Sequence, residues 1–164
     1  MKKLLLLLLC VPFFGLGQAD LNLSDLLKEN GDKKFKLKDY YGAIKDYSKS
    51  IEYNVNNSIS YNNRGIVKYI LKDYNGAIED FSVAINLSPE ATSFYVNRGN
   101  ARLMIKDYNG CLEDFYKAVE IDPIKTDQYM NTFEGKKYCN LLKNFCELGE
   151  EDCCSFYVKY CEFF

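Results

Sequence analysis

Apolar and polar positions along this chain follow a helical spacing, and the whole pattern returns every 34 residues. The clearest copy is KDYNGAIEDFSVAI, Lys72 to Ile85, which recurs as KDYYGAIKDYSKSI from Lys38 to Ile51 and as KDYNGCLEDFYKAV from Lys106 to Val119. A fixed period of this length marks a helical solenoid, in which each repeat is a helix pair that buries its apolar face on its neighbours.

The register holds column by column. Gly31, Gly65 and Gly99 align, as do Gly42, Gly76 and Gly110, and the aromatic column is Tyr47, Phe81 and Phe115. Ala43, Ala77 and Cys111 form a small column opposite the first glycines, and Ser50, Ala84 and Ala118 form another. A glycine inside a helix costs about 1 kcal/mol against alanine, so glycine at one register in every copy points to close helix contact. The aromatic column is expected to fill the space between one helix pair and the next.

Helix limits follow from the punctuation. Ser24 with Asp25 is read as the cap of a first helix running to about Leu37, after a polar lead-in, Gln18 to Asn22. Asp39, Asp73 and Asp107 are placed to cap second helices at Tyr40–Tyr53, Tyr74–Leu87 and Tyr108–Ile121. The other first helices are predicted near Ser58–Leu71 and Thr92–Ile105, with Pro89 and Pro123 stopping the preceding helices. Past Pro123 the period fails, because Phe133 stands where a small residue is wanted. Helices over Asp127–Leu148 and Glu150–Glu162, broken at Gly149, then read as a degenerate repeat and a cap.

These columns carry a family resemblance: the chain resembles a tetratricopeptide repeat (TPR) protein of a small exported bacterial type. Counting repeats from Ser24, Ser58 and Thr92, the family's small position eight is Gly31, Gly65 and Gly99, and its small position twenty is Ala43, Ala77 and Cys111. Its aromatic position twenty-four is Tyr47, Phe81 and Phe115, and its closing proline is Pro89 and Pro123. The first repeat departs, with Leu27 where the others carry Tyr61 and Tyr95, and Val55 in place of the proline. The resemblance implies an all-α solenoid of antiparallel helix pairs wound into a right-handed superhelix with C-terminal capping helices. The organisation is then a leader at 1–17, a lead-in at 18–23, repeats at 24–57, 58–91 and 92–125, and a cysteine-rich cap at 126–164.

Composition narrows the function. The chain has 164 residues, no histidine and no tryptophan, and a net charge of −2. The missing histidine removes Ser/His/Asp and Cys/His nucleophile systems and most catalytic zinc sites, so a non-catalytic protein is expected. A mildly acidic chain without a basic stripe is a poor partner for nucleic acid, whose affinity rests on phosphate neutralisation. Met1 to Gly17 combines Lys2 and Lys3, an apolar run from Leu4 to Phe14 and the small residues Gly15 and Gly17. That is the plan of an export signal cleaved after Gly17, giving a periplasmic or secreted protein, with a retained anchor or lipidation at Cys10 as alternatives. The run is shorter than the roughly 20 apolar residues of a membrane span, so no stable span is expected.

Cys139, Cys146, Cys153, Cys154 and Cys161 crowd the tail, and Cys111 lies in the last repeat. In an exported chain they suggest disulfides. Positions seven apart on one helix lie about 10 Å apart along its axis, too far to bond, so bridges must join different elements. If Gly149 turns an antiparallel hairpin, Cys139 faces Cys161 and Cys146 faces Cys154, and those two bridges are the expected staples. A four-thiolate zinc site, a redox pair and buried thiols are the alternatives; the tail contains no CxxC motif.

The TPR resemblance also implies a binding surface, a concave groove lined by the first helix of each pair. By position it comprises Lys28, Asp32, Phe35 and Lys36, then Asn62, Asn63, Ile66, Tyr69 and Ile70, then Val96, Asn97, Asn100, Leu103 and Met104. Asn63 and Asn97 fall on the family's ligand-contacting asparagine position, and an amide there donates to and accepts from a peptide backbone. The family's carboxylate clamp is matched by Lys28 and Asn63 and broken by Asp32 and Asn97. Asn63→Ala with Asn97→Ala is therefore expected to weaken partner capture with little change in melting temperature. Arg64 and Arg98 with the acidic pairs Glu79/Asp80 and Glu113/Asp114 read as ion pairs between the helices of each repeat. The expected function is a cofactor-free scaffold that holds a protein or peptide, with homo-oligomeric assembly or thiol and metal chemistry in the tail as rivals.

Overall fold

The computed structural model describes residues 14–130 with 139, 140 and 143. Over that span the chain forms α1 (Phe14–Lys36), α2 (Tyr40–Tyr53), α3 (Ser58–Ile70), α4 (Tyr74–Leu87), α5 (Thr92–Met104), α6 (Tyr108–Ile121) and α7 (Pro123–Met130). The pairs α1 with α2, α3 with α4 and α5 with α6 pack most extensively, and each pair stacks on the next through α2 with α3 and α4 with α5. None of the described helices is long and apolar enough to cross a membrane.

The capping aspartates act as their spacing predicts. The Oδ1 atoms of Asp39, Asp73 and Asp107 accept from the backbone N–H of Gly42, Gly76 and Gly110 at 3.0, 3.1 and 3.0 Å. Each carboxylate also lies where a Cβ on that glycine would stand, which accounts for the second glycine column. The first column has a different cause. A Cβ on Gly31, Gly65 or Gly99 would lie 2.6, 2.7 or 2.9 Å from the ring of Tyr47, Phe81 or Phe115. Each ring therefore lies over the glycine of its own repeat, and Tyr47 and Phe81 also reach the next pair, as expected of rings that fill the space between pairs. The neighbouring repeat closes the same cores from the other side: Val67 is buried with Ala43 and Tyr47, and Ala101 with Ala77 and Phe81.

The start of the first repeat differs from its sequence reading. α1 runs through Gln18–Asn22 and through Ser24 and Asp25 without a break, so Ser24 is not a cap. It is fully buried, donates to the Ser50 carbonyl at 2.8 Å, and shares its hydroxyl with Ser50 Oγ at 3.0 Å. Ser50 Oγ in turn meets Ser60 Oγ at 2.7 Å, so a buried hydroxyl chain joins α1, α2 and α3, centred on Ser50, where the later repeats carry Ala84 and Ala118. The predicted cap helices beyond Met130, together with Cys146, Cys153, Cys154 and Cys161, lie outside the described residues. Cys139 is described, and it is buried in the core formed by α4, α5 and α6 and engaged in a disulfide.

Every turn within a pair reverses on a lysine. Lys38, Lys72 and Lys106 have φ of +62°, +66° and +65°, the left-handed conformation that side chains disfavour and glycine adopts freely. Replacing Lys72 by Gly is expected to raise stability by about 1 kcal/mol, read as a higher midpoint in thermal unfolding; an unchanged or lower midpoint would show that the lysine stem compensates by packing.

Candidate functional site

The first helices of the pairs lie side by side, α1 touching α3 and α3 touching α5, and form the inner face of the stack. Between α1 and α3 this face opens into a cavity of about 300 Å³, lined by Asp32, Phe35, Lys36, Tyr47, Asn63 and Ile66. Phe35 and Ile66 give it an apolar floor, packed against the buried groups Ala43, Tyr47, Val67 and Ala77, Phe81, Ala101 respectively.

Its polar wall is one connected chain of hydrogen bonds. Asn97 Nδ2 donates to Asn62 Oδ1 at 2.9 Å, Asn62 Nδ2 to Asn63 Oδ1 at 3.2 Å, and Asn63 Nδ2 to Asp32 Oδ1 at 3.0 Å. Tyr47 Oη donates to the same Asp32 oxygen at 2.8 Å, and Lys28 Nζ pairs with Asp32 Oδ2 at 3.1 Å. Burial raises the Tyr47 phenol well above its usual value, and the neighbouring Asp32 raises it further, so it stays a donor throughout the ordinary pH range. The ladder ties α1, α3 and α5 together through side chains alone. Asn63→Ala with Asn97→Ala should therefore also lower stability, by about 1–2 kcal/mol in urea unfolding, rather than leave it almost unchanged.

The structure sorts the remaining groove positions by exposure. Lys28, Asn63, Ile66, Tyr69, Asn97, Asn100 and Leu103 are half-buried, and Ile70 and Met104 are exposed at 40% and 44%. Asn62 and Val96 are each only 7% exposed, the first held in the ladder and the second in the core that contains Cys139. Tyr69 meets the Tyr74 ring edge to face at 5.5 Å. Tyr47 was missed as a site residue. The signal lay in the columns: it is the tyrosine among Phe81 and Phe115, and Asp32 is the acid among Ile66 and Asn100, so the two exceptions fall in one repeat and meet.

The arginines leave the inner face. Arg64 grips Asp80 with Nε and Nη2 at 2.9 and 2.7 Å, and Arg98 grips Asp114 in the same way at 3.0 and 2.6 Å. Each also donates back to the preceding pair, Arg64 to Ser48 Oγ and Arg98 to Ser82 Oγ. Lys68 and Arg102 add second cations to Asp80 and Asp114 at 2.9 Å each, while Glu113 is largely exposed. These are struts within and between repeats.

Compared by sequence, the chain matches no family model and no curated protein. Compared by structure, it superposes on the first TPR domain of Spaghetti (RPAP3), solved bound to the HSP90 peptide SRMEEVD, with a TM-score of 0.68, 26% identity, and coverage of 77% of this chain and 95% of that one. The chain has the tetratricopeptide repeat fold. The TPR domain of Arabidopsis OM64 is similar to it at TM-score 0.63 and 28% identity, over 65% of this chain and 89% of that one. The first TPR domain of human RPAP3 is similar at TM-score 0.63 and 26% identity, over 84% and 96%. The helices expected at Ser58–Leu71, Tyr74–Leu87, Thr92–Ile105 and Tyr108–Ile121 match α3 to α6 to within one residue.

Proposed function

We propose that this TPR-fold protein is a non-catalytic scaffold that holds an extended segment of a partner protein along its inner face. The observation that carries the reading is the cavity between α1 and α3, where apolar Phe35 and Ile66 stand beside the amide of Asn63. An apolar side chain can be seated there while the partner's backbone runs past the amides, the usual chemistry of peptide recognition. The HSP90 peptide bound by the first TPR domain of RPAP3 supports the same use of this fold. The helices are stacked before any partner arrives, so the ordering cost of binding falls mainly on the ligand. The leader-like Met1–Gly17 supports an exported setting for this grip.

Ile70 and Met104 test the reading without disturbing the ladder, because both are exposed on the inner face. Ile70→Glu with Met104→Glu is expected to weaken partner capture at least about tenfold in a quantitative pull-down while leaving the melting temperature within a few degrees. Unchanged capture would place the contact surface elsewhere on the solenoid.

A further inference from the structure

The inner face already contains a bound carboxylate, and it belongs to the chain itself. Asp32 receives Lys28 on one oxygen and both Tyr47 and Asn63 on the other. A cation, a phenol and an amide converging on one carboxylate are the donors that a ligand carboxylate would need. Behind Asn63, the amides of Asn62 and Asn97 turn their NH2 groups the same way, each donating toward Asp32 through its neighbour. One acidic side chain therefore engages donors contributed by α1, α2 and α3, and sets the direction of the ladder that reaches α5.

We propose that Asp32 is a specificity-determining residue: it fills the carboxylate position of the groove from within, so that the cavity refuses acidic and C-terminal carboxylate groups. The favoured occupant is an internal, uncharged stretch of extended peptide that seats an apolar side chain on Phe35 and Ile66. This rests on the peptide-holding reading above. An incoming carboxylate meets like charge at Asp32, finds Lys28 already neutralised at 3.1 Å, and must displace Tyr47 or Asn63 to gain a hydrogen bond. An uncharged segment meets none of these costs and can still use the remaining N–H of the Asn63 amide. The recognition differs in sign from that of the RPAP3 domain, whose HSP90 peptide ends in the acidic run EEVD.

Two N-terminally labelled peptides separate the cases by fluorescence polarisation with the intact protein: SRMEEVD with a terminal carboxylate, and SRMQQVN with a terminal amide, which keeps the same arginine and carries no carboxylate. The wild-type chain is expected to bind the carboxylate-free peptide at least about tenfold more tightly than the acidic one. Asp32→Asn, which keeps an acceptor for Tyr47, is expected to gain at least about tenfold for SRMEEVD, and Lys28→Ala added to it is expected to remove the gain. Asp32→Ala provides a second form that does not depend on amide orientation, and far-UV circular dichroism confirms that each variant is folded. If folded Asp32→Asn and Asp32→Ala gain nothing for SRMEEVD, or if the wild-type chain already binds it as well as they do, the proposal is overturned. If that happens while Ile70→Glu with Met104→Glu still weakens binding of the carboxylate-free peptide, the groove stands and only the charge selection falls; if that pair also has no effect, the peptide-holding reading falls with it.

Discussion

Arg98→Ala is expected to lower the stability of the fold by about 3–5 kcal/mol at pH 7, the loss usual when one partner of a buried ion pair is removed. Asp114 is 1% exposed, and Arg98 supplies two of the hydrogen bonds that offset its burial as well as the link to Ser82 on the preceding pair. Burial already holds the Asp114 carboxyl above its usual 3.8, although Arg98 and Arg102 pull it down. A carboxyl raised in the folded state favours the fold below its unfolded value, and that contribution is lost as the pH rises through the folded value. Without Arg98 the folded value climbs further, so the penalty is largest at neutral pH and shrinks as the pH falls toward 3.8. Urea unfolding at a series of pH values checks both claims. A loss that is small, or that does not shrink in acid, would mean that Arg102, at 2.9 Å, suffices alone.

The second large effect lies in the middle repeat. Phe81→Ala should destabilise by about 3–5 kcal/mol, because it empties a ring-sized space beneath Gly65 in a core shared with Ala77 and Ala101. Gly65→Leu alone should also destabilise, by about 1–3 kcal/mol, since its side chain begins 2.7 Å from the Phe81 ring. Together the two changes move bulk from α4 to α3 across one contact. The double variant should be more stable than the sum of the single losses by at least about 1 kcal/mol. Additive losses in denaturant titrations would show that glycine is kept here for a reason other than the ring.

The ion pairs and the ring-on-glycine contacts explain why the fold repeats so faithfully. Each is made within one helix pair and tied to a neighbouring one: Val67 and Ala101 of the next pair close on Tyr47 and Phe81, and Arg64 and Arg98 reach Ser48 and Ser82 of the preceding pair. Stability in such a stack is close to a sum of repeat and neighbour terms, so losses at Asp114 and at Phe81 should be separable by hydrogen exchange.

Much of this was legible in the chain itself. The ends of α2, α4 and α6 follow from capping aspartates and from the residues after which the helix pattern stops, because those are local events within a few residues of sequence. The glycine, alanine and aromatic columns announce a helix-pair solenoid, because the same contact recurs and so leaves its trace at a constant period. The first helix was misread at Ser24 for a complementary reason. A serine before an apolar run has the composition of a cap, and only a distant partner, Ser50, makes it a buried interior donor.

The amino-acid order alone thus determined the architecture of the repeats and the spacing of their caps. Tertiary structure alone decided what the inner face is made of chemically. Lys28, Asp32, Tyr47, Asn62, Asn63 and Asn97 come from three repeats; Lys28 shares a column with Asn62 and Asn63 shares one with Asn97, but none of the hydrogen bonds joins two members of one column. Hydrogen bonds between side chains are set by distance and angle in space, so the conversion of an apparent carboxylate site into one filled by Asp32 emerges only once α1, α2, α3 and α5 are brought side by side.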